Sequence, residues 1–200
     1  MNDHKLTENE LWILSFYRTS EITGALFFGG LAKKMKPGPI QRDLTKHFAD
    51  ESQHSWIWTN CVNQFGAEPM RLSDSYQDKY LEAAGVPVNL MEILAVTQVF
   101  EKRVIGQYAK HRTLENLDPR VEAAFSQIME DEKWHIEWIG AALKDMEKQY
   151  GAELVQSTVK RFSEADQHVF EATMKEHEQR MNDLFENTRR NRMLKKTEKS

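Results

Sequence analysis

Cysteine is almost absent from this chain, and that excludes more than any residue it contains. One thiol, Cys61, rules out an intrachain disulfide, a CxxC electron-transfer element and a zinc finger, and it fits a reducing compartment. Glycine (nine) and proline (five) are also scarce among 200 residues, so turns are few; with 40% hydrophobic and 29% charged residues, the composition favours helices over a β-sandwich or a disordered chain. No run of about 18 apolar residues occurs, and Met1 to Asn9 is polar, so neither a membrane span nor a signal peptide is expected. The formal charge of −4 gives no general reason to bind nucleic acid. A basic run from Arg189 to Lys199 is the local exception, and it reads as a frayed, solvated helix end. A cytoplasmic protein of one domain follows from these absences.

What is present is a repeat. Asp50-Glu51-Ser52-Gln53-His54 returns as Asp131-Glu132-Lys133-Trp134-His135, and each copy follows a lone glutamate in an apolar helix, Glu21 and Glu101. The spacing is 30 residues from Glu21 to Glu51 and 31 from Glu101 to Glu132, so the second half echoes the first about 80 positions on.

Four long helices carry these residues. Thr7-Glu8-Asn9-Glu10 is a capping box that opens the first, whose apolar stripe runs Leu11, Leu14, Tyr17, Glu21, Gly24/Ala25, Phe28, Leu31. Pro37-Gly38-Pro39 separates it from a second helix over about 40–65, stopped by Gly66. The third spans about 90–114. Asp118-Pro119 starts the fourth, which ends before Gly151. Residues 67–89, with a short helix over 73–84, form a connection long enough to let the second and third helices run parallel, an up-down-down-up arrangement. A fifth helical segment over about 152–192 has only a thin apolar edge and should lie outside the core.

A carboxylate on an inward stripe is costly unless paired or bound to a metal. Residues i and i+3 share a helix face, so Glu51/His54 and Glu132/His135 each offer a carboxylate and an imidazole to one point. Glu21 and Glu101 complete a set of four carboxylates and two imidazoles, which suits iron or manganese. Asp50 and Asp131, one turn before the histidines, are expected to orient them through the second ring nitrogen. His47, one turn before Glu51, reads as a core or edge histidine, with a third nitrogen ligand or a donor to the ligands as the alternative. Trp56, Trp58, Trp134 and Trp138 cluster around the motifs and read as packing residues, with electron transfer by Trp58 and Trp138 as the alternative. Tyr17 and Tyr108 read as hydrogen-bond donors or pocket walls, and Arg103 as part of an ion pair.

Over residues 11–150 the sequence resembles the ferritin-like di-iron carboxylate superfamily, which includes bacterioferritin, rubrerythrin, the ribonucleotide reductase small subunit, acyl-carrier-protein desaturases and bacterial multicomponent monooxygenases. The resemblance implies a single all-α, ferritin-like four-helix bundle with a long crossover and an added C-terminal helix. It implies two iron ions, or a manganese/iron pair, held by Glu21, Glu51, His54, Glu101, Glu132 and His135, with either Glu51 and Glu132 or Glu21 and Glu101 bridging. These six are thus the expected catalytic residues as well as the ligands. O2 or peroxide chemistry follows. Departures narrow it: rubrerythrin's extra carboxylates are replaced by Gly24 and Val104, the radical tyrosine of the reductase by Trp58, and the monooxygenase threonine by Val104 and Ile105. The expectation is a di-iron oxidase or oxygenase acting on a small organic substrate in an apolar pocket beside Glu21, Gly24, Glu101 and Val104. The expected partners are the substrate and O2, with room for an external electron donor, and the expected assembly is a homodimer with neither nucleic-acid nor membrane partners. The competing expectation is ferroxidase, iron-storage or peroxide-detoxifying activity.

Overall fold

The computed structural model describes residues 5–72, 80 and 84–197. Six helices are present and no strand occurs among the described residues: α1 (Glu8–Lys34), α2 (Pro39–Asn63), α3 (Leu90–Arg112), α4 (Pro119–Tyr150), α5 (Ala152–Thr173) and α6 (Lys175–Thr197). None of them is long and apolar enough to cross a membrane. The starts follow local chemistry. Thr7 and Glu10 form the reciprocal capping box of α1, Asn89 accepts the Glu92 N–H on α3, and Asp118 accepts the Arg120 N–H ahead of Pro119 on α4. Gly151 ends α4 at φ 85°, a backbone region where a side chain would be strained.

Side-chain contacts fix the directions of the four longer-range partners. Tyr17 meets Trp58 while Phe28 stacks on His47, so α1 and α2 are antiparallel. Tyr17 also meets His111 while His47, stacked on Phe28, lies 3.2 Å from Glu101, and Phe125 meets Trp58 while Trp138 meets His47; α3 therefore opposes α1 and α4 opposes α2. Parallel α2 and α3 require the long connection expected from the sequence. Of that connection, Met70 N–H bonds Ser15 Oγ at 2.9 Å and buried Tyr80 donates to the Phe162 carbonyl at 2.8 Å. The short helix expected over 73–84 lies mostly outside the described residues.

The C-terminal region differs from the single segment expected over 152–192. The chain bends at Met174 (φ −95°, ψ 14°), so α5 packs on α3 and α4 while α6 packs on α1. No glycine or proline marks the bend, which is why the sequence does not signal it. Burial of Val155, Phe162, Val169, Met174, Met181 and Leu184 holds both pieces down. Ion pairs join the layers: Arg103 with Asp166, and Lys110 with Glu178 at 2.7 Å. Phe162 is 1% exposed, so Phe162→Ala is expected to cost about 3–5 kcal/mol in denaturant unfolding, against little for half-exposed Leu154→Ala.

A second buried polar group lies where α1, α3 and α6 meet. Tyr17 Oη is 3.1 Å from His111 Nδ1, and His177 sits against Phe16 and Tyr17 with neither ring nitrogen hydrogen-bonded. Burial, reinforced by the field of His177, pushes His111 down to about 3. Burial likewise depresses His177 to about 4, against the opposing field of Glu178.

Candidate metal centre

All six residues singled out by the repeat come together. Glu21 arrives from α1, Glu51 and His54 from α2, Glu101 from α3, and Glu132 and His135 from α4; none is more than 5% exposed. Their ligand-type atoms fall into two overlapping groups: His47, Glu51, Glu101 and His135 in one, Glu21, Glu51, His54 and Glu132 in the other. Glu51 belongs to both. Glu132 also spans them, with Oε1 3.3 Å from His54 Nδ1 and Oε2 3.4 Å from His135 Nδ1. Of the histidines, Glu21 faces His54, at 3.7 Å, and Glu101 faces His135, at 3.7 Å, and His47, at 3.2 Å. Glu51 and Glu132 thus touch both groups, whereas Glu21 belongs to one and Glu101 to the other.

The aspartates act across the helix pair rather than along their own helices. His54 Nε2 lies 3.2 Å from Asp131 and His135 Nε2 3.3 Å from Asp50. Each carboxylate can accept an Nε2–H and leaves Nδ1 aimed inward, where a metal ion would take the place of a proton, the usual arrangement around a ligating histidine. Lys46 bonds Asp50 in turn.

Within the cluster, His54 Nδ1, His135 Nδ1 and both oxygens of Glu132 are buried without a directed hydrogen bond. Such atoms are costly to bury unpartnered, and a cation is the partner that satisfies converging oxygens and lone pairs together. The protonation pattern agrees. Burial, then the charges of Glu21, Glu101 and Glu132, push Glu51 well above the carboxylate range; burial, then Glu101, raise Glu132. Burial works against charge on His54, yet the facing carboxylates of Glu132 and Glu21 push it up to about 10; on His135 burial is outweighed by Asp50, Glu101 and Glu132, taking it to about 12. Protons here stand in for cationic charge that two metal ions would supply. The oxygen-rich, two-imidazole donor set fits iron or manganese.

Gly24 makes room for this set. A Cβ there would clash with Glu51 Oε2 and lie 3.2 Å from its carboxyl carbon. Gly24→Ala is therefore expected to lower metal affinity about 10-fold or more, by displacing a ligand carboxylate, with a smaller effect on unfolding of the metal-free protein. Metal titration and denaturation of the same variant separate the two.

Several neighbours were less legible from the sequence. His47, which reads there as a core or edge histidine, is wholly buried inside the cluster, Nε2 lying 3.2 Å from oxygens of both Glu51 and Glu101. Its signal was position alone, one turn before Glu51. Tyr108 donates to Glu21 and receives the Trp58 indole N–H at 3.2 Å. Trp56, by contrast, is exposed.

The carboxylates also face open space. A cavity of about 450 Å³ is lined by Glu21, Glu51, Glu101 and Glu132 at one end and by Gly24, Phe27, Phe28, Phe100 and Val104 along its wall, reaching exposed Leu26. It includes all four residues expected to border a substrate pocket. No protein-family model, curated protein or solved structure matches this chain.

Proposed function

We propose that this chain is a ferritin-like four-helix-bundle enzyme that holds two iron ions, or one manganese and one iron, and uses O2 to oxidise a small organic substrate. The observation that carries the reading is the cavity: an apolar chamber of about 450 Å³ whose inner end is the four-carboxylate cluster. Iron storage needs a path for hydrated ions, whereas away from the carboxylates this lining is mostly phenylalanine, valine and leucine, with Ser20 and Thr23 its hydroxyl-bearing members, and suits an organic molecule. When bound, the metals would supply the redox step.

The residues of the chain have separate tasks in that reading. Glu51 and Glu132 would be the bridging pair, Glu21 and Glu101 the terminal carboxylates, and His54 and His135 would offer Nδ1 with Nε2 tied to Asp131 and Asp50. Tyr108 holds Glu21 in place. Phe27, Phe28, Phe100 and Val104 favour an apolar substrate, and with no basic side chain among the described residues lining the cavity, an anionic one is disfavoured.

The test is anaerobic Fe(II) loading followed by O2. Uptake of two iron ions per chain and consumption of one O2 per pair is expected, with Val104→Trp keeping metal uptake but blocking oxidation of apolar probes such as toluene. Iron content well below one per chain would sink the reading. A closed many-subunit shell on size-exclusion chromatography, with iron oxidised and retained, would turn it to storage.

A further inference from the structure

Three buried histidines reach the centre, and their remote nitrogens sort them into two kinds. His54 and His135 give their Nε2 protons to aspartates, which leaves Nδ1 free to ligate. His47 is wired the other way. The Trp138 indole N–H points at His47 Nδ1 at 3.3 Å, inside the core. An indole nitrogen only donates, and a neutral imidazole has one lone pair and one proton. With its lone pair engaged by Trp138, His47 carries its proton on Nε2, the atom 3.2 Å from Glu51 Oε1 and 3.2 Å from Glu101 Oε1. That nitrogen is equidistant from both oxygens and directed squarely at neither, so one donor faces two acceptors. We propose that His47 is a proton-bearing positioning residue that holds Glu101 and Glu51, its tautomer set by Trp138, and that it is not a third imidazole ligand; this rests on the two-metal reading above.

The repeat supplies an independent argument. In the first half, Trp58 donates to Tyr108, and Tyr108 donates to the terminal carboxylate Glu21. Tyr108 stands seven residues after Glu101; its counterpart, seven after Glu21, is Phe28, which has no hydroxyl to offer Glu101. Phe28 instead stacks on His47, with ring centroids 3.7 Å apart, and His47 brings the missing donor from α2. Ile128 occupies the position matching His47 in the second copy, where Tyr108 already serves. Each terminal glutamate thus has an indole-backed donor, an O–H for Glu21 and an N–H for Glu101. A seventh ligand would instead leave Glu101 as the one terminal carboxylate without such a donor.

Two measurements test this. In metal-free protein labelled with ¹⁵N-histidine, long-range ¹H–¹⁵N correlation should show His47 protonated at Nε2 and bare at Nδ1, and Trp138→Phe should release that preference. Mn(II) titration, with free ion followed by electron paramagnetic resonance, should give two ions per chain for His47→Gln, whose amide still donates, with affinity within about 10-fold of wild type. His47→Leu should lose about 10–100-fold, and His135→Gln should lose one ion outright. An Nδ1 proton on His47, or loss of an ion in His47→Gln matching that in His135→Gln, overturns the proposal. A wild-type chain that takes up no metal overturns the two-metal reading, and the tautomer measurement still decides the role of His47.

Discussion

Replacing Glu51 by alanine is expected to reduce metal uptake from two ions per chain to fewer than one. Glu51 belongs to both ligand groups, so its loss removes a donor from each position at once. Glu21→Ala removes a donor from one position only, and should leave one ion bound tightly and the other weakly. Metal analysis after anaerobic loading distinguishes the two patterns; equal, partial loss in both variants would refute the bridging assignment. The metal-free protein should respond with the opposite sign. Burial and three neighbouring carboxylates raise the Glu51 carboxyl far above its ordinary value, so at neutral pH folding requires either uptake of a proton or an unfavourable charge. Glu51→Gln removes that cost while keeping the shape, and should stabilise the metal-free protein by on the order of 1–3 kcal/mol in urea unfolding. In the loaded protein the order reverses, because ions bound at about 100 times their Kd add about 2.7 kcal/mol to wild type alone.

The second large effect concerns acid and lies away from the metal centre. His111 has a folded pKa of about 3, below its ordinary 6.5, because burial disfavours its charged form. Its neutral form therefore contributes stability above pH 6.5. That contribution is lost as pH falls from 6.5 towards 3, since the unfolded chain takes up the proton first. Glu51 and Glu132, whose folded pKa values are raised, act in the opposite sense in metal-free protein, so the effect is best read as a difference. Unfolding free energy of wild type minus His111→Gln should fall by about 1.4 kcal/mol per pH unit between 6.5 and 4, reaching about 3 kcal/mol. Glutamine retains an acceptor for the Tyr17 hydroxyl. A pH-independent difference would show that His111 is not held neutral. His177, depressed to about 4, should behave likewise.

Helix positions and the six converging residues were legible because each depends on neighbours within a few positions. The Thr7–Glu10 capping box, Asp118-Pro119 and Gly151 act within one turn, and Glu51/His54 and Glu132/His135 share a face through the i, i+3 geometry of any α-helix. The burial of Glu21 and Glu101 followed from stripes that are apolar on either side of them. The bend at Met174 was not legible, because it is stabilised by packing of α5 and α6 on different partners rather than by a breaking residue. Buried Ser15 and Phe16 fell outside the stripe assigned to α1, since Met70 and His177 cover a second face of that helix.

By itself, then, the sequence determined the all-helical class and which side chains could converge, as properties of local turns and of a repeat. Only the tertiary structure decided how they pair. Asp50 orients His135 and Asp131 orients His54, each across the pair, because antiparallel α2 and α4 bring one copy's aspartate beside the other copy's histidine. The place of His47 was decided in the same way. Its position one turn before Glu51 put it on the right face, but the indole of Trp138, 91 residues away along the chain, determines which of its nitrogens carries the proton.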